Sequence, residues 1–129
     1  MNHHFSLPAL SGKLLVLLFC FFISSGYAEE SALYVSPDGN DTWTGDNLNK
    51  PFKTVQKARD IIRQMKKDGK FNNPVTVYIR GGIFELSEPL LFTLEDSGTE
   101  SCPITYTAYN NEKPIISGGQ ESDRTVEKL

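Results

Sequence analysis

The sequence predicts a mainly β chain with one amphipathic helix near its start, and three observations carry that expectation. Short β-branched and aliphatic runs recur through the second half, at residues 75–79, 83–86, 90–93, 104–109 and 114–117. The gaps between them are Gly-Gly, Ser-Glu-Pro and Asn-Asn turns, with no stretch long and periodic enough for a crossover helix. One segment alone, after Thr54, shows apolar residues at steps of three and four.

Taken in order, the N-terminus reads as an address. Lys13 precedes the uninterrupted apolar run LLVLLFCFFI, followed by Ser24, Ser25, Gly26, Tyr27 and Ala28. Gly26 and Ala28 have the small side chains a signal peptidase needs three and one residues before its cut, which predicts a signal peptide over residues 1–28 and cleavage before Glu29. Ten helical residues span only about 15 Å, and a bilayer core needs about 30 Å, so a membrane anchor is the poorer reading. A lipoprotein reading would need a small residue before Cys20, and Phe19 stands there. The expected location is therefore secreted, periplasmic or extracellular.

Removal of that segment changes the inventory. The whole chain carries 13 basic and 16 acidic side chains, net −3. Loss of Lys13 leaves 12 basic groups against the same 16 acidic ones, net −4. Such a balance gives no support to nucleic-acid binding or, after cleavage, to membrane attachment. Cys20 departs with the leader, so Cys102 remains alone and no internal disulfide can form. His3 and His4 depart as well, which excludes Ser-His-Asp triads and histidine-ligated zinc from the mature chain.

Leu33, Tyr34 and Val35 make a short strand, stopped by Ser36-Pro37-Asp38-Gly39. The loop that follows, DGNDTWTGDNLNKP, is rich in residues whose side chains bond their own backbone in tight turns. In the next segment Val55, Ala58, Ile61, Ile62 and Met65 fall on one helical face. Thr54 is placed to cap its N-terminus, Lys66 and Lys67 suit the negative end of its dipole, and Gly69 supplies a left-handed stop. The polar residues Gln56, Lys57, Arg59, Asp60, Arg63 and Gln64 are expected on a solvated face.

Period two then takes over. Val75, Val77 and Ile79 point one way, Thr76, Tyr78 and Arg80 the other. Gly81 and Gly82 bend the chain, and a kink at Pro89 separates the 83–86 and 90–93 runs. The spacing suits either a meander or the corners of a parallel coil. The kinked succession of those two runs favours the coil, as two sides of one turn.

Candidate sites are few. Asp38, Asp41 and Asp46 lie in one acidic loop that could hold calcium, yet it fails as an EF-hand, since Trp43 stands where glycine is needed and Asn49 where a bidentate glutamate is needed. Ordinary Asx turns are the plainer reading, and no cofactor or metal is assigned. Cys102 has no histidine to make it a thiolate nucleophile. Glu85, Glu88, Glu95, Asp96 and Glu100 qualify by type for the carboxylate pair that glycoside hydrolysis requires, but nothing in their spacing pairs them. Arg80 could act beside an anionic sugar, though a salt bridge is the commoner fate of an outward arginine. Trp43 and Tyr78 could stack on sugar rings. Asn40-Asp41-Thr42 is a glycosylation sequon. No catalytic residue is assigned from these candidates.

The stretches LYVSPDGNDTWTGDNLNKPFKTVQKARD, VTVYIRGGIFEL and LEDSGTESCPITYTAYNNEKPIISGG, in combination, resemble the N-terminal segment of right-handed parallel β-helix carbohydrate-active proteins, the pectate-lyase-like superfamily, nearest to its glycoside-hydrolase branch. The resemblance implies residues 29–119 as an N-terminal cap and the first coils of a β-helix, with the helix plugging the end and protecting the first open edge. It implies a polysaccharide substrate for a full-length relative and catalytic carboxylates on later coils. Residues 120–129 depart from it: QESDRTVEKL is polar and without alternation where the family continues with an apolar strand. The expectation is thus the N-terminal fragment of a secreted polysaccharide-degrading protein, inactive alone and prone to self-association through its open edge, since a solenoid needs about three repeats for stability. The alternative is a small exported glycan-binding or structural module complete at Leu129.

Overall fold

The computed structural model describes residues 29–118. The expected signal peptide and polar tail lie outside them. In chain order the elements are β1 (Ser31–Val35), α1 (Val55–Lys67), β2 (Val75–Ile79), β3 (Gly82–Glu85), a short 3-10 turn (Leu94–Asp96), β4 (Ile104–Ala108), a second 3-10 turn (Tyr109–Asn111) and β5 (Pro114–Ser117). The architecture is mostly strand with one helix.

The strands form two short parallel sheets. One has the order β1-β2-β4, the other is the pair β3-β5. Register is unstaggered: Leu33 stands beside Val77 and Val77 beside Tyr106, while Tyr34 pairs with Tyr78 and Tyr78 with Thr107. From β2 to β4 the partners are 29 residues apart (Val75 to Ile104), and from β3 to β5 they are 32 apart (Gly82 to Pro114). A meander would pair neighbours antiparallel, so that reading is excluded for these strands.

The period-two reading of β2 holds. Val75, Val77 and Ile79 turn inward and join Leu33, Val35, Phe52, Phe84 and the helical residues Val55, Ala58 and Ile62 in one core. Each large side chain removed from water here contributes about 1.5–3 kcal/mol before entropy is set against it. Helix α1 forms for the reasons its sequence gives. The Thr54 hydroxyl accepts the Lys57 N–H at 3.1 Å, Lys66 and Lys67 occupy the last turn, and Gly69 follows at φ 69°.

The edge of β1 is not covered by the helix, as the resemblance implied, but by the loop before it. Tyr34 N–H donates to the Gly45 carbonyl at 2.7 Å, and Phe52 N–H donates to the Tyr34 carbonyl at 2.8 Å. That loop fits closely because Gly45 takes φ +68°, where a Cβ would lie 2.1 Å from the Phe52 ring. The outward backbone groups of Tyr34, which an edge strand would leave free, are thereby satisfied, as is the Ser36 N–H by the Phe52 carbonyl at 2.8 Å.

The expected strand over residues 90–93 does not form. Among the described residues no strand pairs with it, and a strand exists only by pairing. Leu90 packs on the core and Phe92 meets Tyr106 edge-on at 5.3 Å between ring centroids.

Candidate functional site

What holds the 88–97 segment is part of the polar face of α1: Asp60 and Gln64 are exposed as expected, while Gln56, Arg59 and Arg63 are half-buried and engaged. Gln56, Arg59, Arg63 and Lys66 recur at helical spacing and reach across together. Gln56 donates to the Glu88 carbonyl at 3.5 Å and Arg59 to the Leu91 carbonyl at 2.7 Å. Arg63 grips Asp96 with two bonds of 2.7 Å each. Lys66 donates to the Glu95 and Ser97 carbonyls at 2.5 and 2.6 Å.

Asp96 is the centre of this clamp. Its side chain is only 4% exposed, and it also accepts the Thr93 N–H at 2.7 Å. Hydrogen bonds from Arg63, followed by that of Thr93, hold its carboxyl well below the usual carboxylate range, and Arg63 is correspondingly raised. Glu95 sits 3.1 Å from the same guanidinium. A general acid needs a carboxyl that keeps its proton near neutral pH, so Asp96 is built as a fastening. Beneath it, burial pushes the Tyr106 phenol up to about 12, with the Asp96 charge adding to the effect.

The acidic loop is likewise structural. The Asp41 carboxylate accepts from Lys53 N–H (2.8 Å), Thr54 N–H (3.0 Å) and the Thr54 hydroxyl (2.8 Å), which fixes the residue that caps α1. Asp46 accepts from Thr44 and Asn47, and the Thr44 bond lowers its pKa. Asp38, Asp41 and Asp46 are not brought together: among the described residues no cluster of three or more His, Cys, Asp or Glu side chains could hold a metal. Asn40 is exposed, with its side-chain oxygen accepting from Thr42. Cys102 is a half-buried free thiol whose N–H donates to the Thr99 hydroxyl at 3.0 Å in a turn.

The remaining candidates meet on the outer face of the larger sheet. Unstaggered register puts Tyr34 against Tyr78, stacked at 5.5 Å, and Tyr109 stands edge-on to both at 6.1 and 6.0 Å. Tyr109 lies under the Arg80 guanidinium at 5.2 Å. Arg80 donates to Glu112 through two bonds of 2.8 and 3.0 Å, and Gly81 N–H adds a third at 2.8 Å. Those bonds lower the Glu112 pKa and raise that of Arg80. Two consecutive left-handed residues, Asn110 (φ 47°) and Asn111 (φ 59°), turn the chain so that Glu112 can reach. Trp43 is exposed on the flank of this surface. Of the catalytic candidates, Glu85 ends β3 beside a cleft against the start of α1, away from Asp96's clamp, and Glu88 and Glu100 are exposed.

Sequence reasoning missed Tyr34, Tyr109 and Glu112 here, and Arg63 in the clamp. The sequence carries no usable signal for them, because the offset that joins them is known only from the strand register. Arg80 to Glu112 is 32 residues and Arg59 to Leu91 is 32, equal to the 32-residue step from β3 to β5, and Arg63 to Asp96 is 33, one residue more.

With this geometry in view, comparison with known proteins gives a consistent group. No family model matches the chain. It is 33% identical over 113 residues to the uncharacterized protein YwoF of Bacillus subtilis, covering 84% of this chain and 21% of that one. It is 34% identical over 86 residues to pectate lyase PEL9 of Emericella nidulans, covering 67% and 18%. Among solved structures it resembles a glycoside hydrolase, with a TM-score of 0.64 at 32% identity over 70% of this chain and 15% of that chain. It also resembles a rhamnogalacturonan lyase, with a TM-score of 0.50 at 25% identity over 67% and 21%. The chain thus spans about a fifth of the length of the curated relatives it matches. The named activities among these neighbours are all those of polysaccharide-acting enzymes, which fits a carbohydrate-active family.

Proposed function

We propose that this chain supplies the N-terminal cap and first coils of an exported right-handed parallel β-helix protein that degrades polysaccharide. One observation carries the reading: each strand stands in unstaggered parallel register on a counterpart, 44 residues on from β1 to β2, 29 from β2 to β4 and 32 from β3 to β5, and strands stacked in this way are how a solenoid builds its core. The glycoside hydrolase and the two lyases among its neighbours give the substrate class. The apolar leader supports export. The chemistry itself belongs to carboxylates elsewhere in the whole protein, because Glu95 and Asp96 are committed to Arg63.

The role assigned to this chain is structural: it seals one end of the core and presents the backbone edges of β4 and β5 for the next coil. Exposed Leu91, Phe92, Leu94, Ile115 and Ile116 give that coil an apolar bed. A graft tests the reading. Residues 29–118 replace the matching segment of the similar glycoside hydrolase, and hydrolysis of that enzyme's own substrate is measured. A folded, active chimera is expected, with no sugar release by this chain alone. An aggregated or inactive chimera overturns the proposal.

A further inference from the structure

Between the loop that carries Trp43 and the turn that joins β4 to β5 lies an open groove of about 730 Å³. Trp43, Asp38, Asn49, Arg80, Glu112 and Lys113 stand on its walls. Trp43 is the sole tryptophan of the chain, and the residue is 39% exposed. The loop beneath it is nevertheless fixed, by Trp43 N–H on the Asn40 carbonyl at 3.0 Å and Gly45 N–H on the Lys50 carbonyl at 2.9 Å. A flat apolar face is thus held rigidly at the surface without serving the core.

The polar groups around it are not used up. Arg80 spends Nε and Nη2 on Glu112, which leaves Nη1 to donate elsewhere. Among the described residues the Asp38 carboxylate, the Asn49 carboxamide and the Lys113 ammonium have no side-chain hydrogen-bond partner. An aromatic face with a few convergent donors and acceptors is the composition of a ligand site. Two carboxylates and two cations leave the walls without net charge, so nothing there selects an anion.

We infer that this groove is a subsite for one neutral pyranose ring of a polysaccharide. The indole lies under the ring's C–H face, and Asp38, Asn49, Arg80 and Lys113 meet its hydroxyls. The inference rests on the proposed polysaccharide-acting function and adds to it a sugar class and a place.

The sole tryptophan makes its own reporter. The full chain is titrated with neutral tetraoses (galacto-, xylo- and cello-) and with tetragalacturonate, and Trp43 emission is followed. At least one neutral tetraose is expected to shift the emission with a Kd of about 1 mM, while tetragalacturonate at equal concentration does not. N49A and K113A, both at exposed positions, are expected to weaken the response about five-fold each with unchanged far-UV circular dichroism. Silence toward every neutral tetraose, an equal or stronger response to the uronate, or a response indifferent to both substitutions overturns the subsite. An active graft with a silent Trp43 removes the subsite alone. An inactive graft with a responsive Trp43 removes the β-helix reading and leaves the sugar site.

Discussion

The β1 side and the β5 side of this molecule are made of the same residue types and meet opposite fates. Val35 and Phe52 are 0% and 1% exposed, while Ile115 and Leu94 are 56% and 93% exposed. The first side is closed by a loop that hydrogen-bonds the edge strand and by a helix that fills the core beside it. The second has parallel strands in good register and, among the described residues, nothing laid against them. Burial is therefore a property of what is stacked next, and composition alone does not confer it.

Substitutions that behave alike on both sides would break this contrast. The largest effect is expected from Gly45→Ala on the closed side, where φ +68° and a Cβ only 2.1 Å from the Phe52 ring combine strain with overlap. We expect a loss of about 3 kcal/mol in urea unfolding. A loss below 1 kcal/mol would mean that the loop does not seal the edge.

Next comes Asp96→Asn, which loosens the clamp between α1 and the 88–97 segment. The expected cost at pH 7 is about 2 kcal/mol, as for a hydrogen bond to a charged partner. The native Asp96 pKa is depressed relative to about 3.9 in the unfolded chain. Its contribution is therefore complete above that value and lost as pH falls through it toward the depressed one. The gap between wild type and variant should narrow below about pH 4, and a gap constant from neutral to acid pH would show that the ion pair is not the fastening.

On the open side the stability effects are small. Ile116→Lys should change stability by no more than about 0.5 kcal/mol yet shift the chain from self-associated to monomeric in sedimentation, because a charge on an open edge blocks edge-to-edge pairing. A wild-type chain that sediments as a monomer would remove that expectation. Leu94→Ala, at a side chain 93% exposed, should be the mildest, within about 0.5 kcal/mol of zero; a cost like that of a core leucine would erase the difference between the two sides.

Local signals were legible in the sequence. The helix with its Thr54 cap and Gly69 stop, β1, the alternation of β2, and the short runs that became β4 and β5 all follow from period and turn chemistry over a few residues. The 90–93 strand was misread because its residues are suited to a strand that only a neighbour could make. Asp41 was read as a metal candidate because its true partners, Lys53 and Thr54, lie 12 and 13 residues on. Arg63–Asp96 and Arg80–Glu112 were invisible for a related reason: each joins residues one sheet offset apart, and that offset becomes known only once the register is.

The unstaggered columns have an evolutionary consequence. One residue gained inside β2 would turn the side chains after it in that strand from inside to outside and undo Leu33–Val77–Tyr106 and Tyr34–Tyr78–Thr107 together. The stretch between β3 and β4 answers to no column, being fastened at separate points by helix side chains. Lineages diverging from this sequence are thus free to add length at that corner, which no strand register constrains.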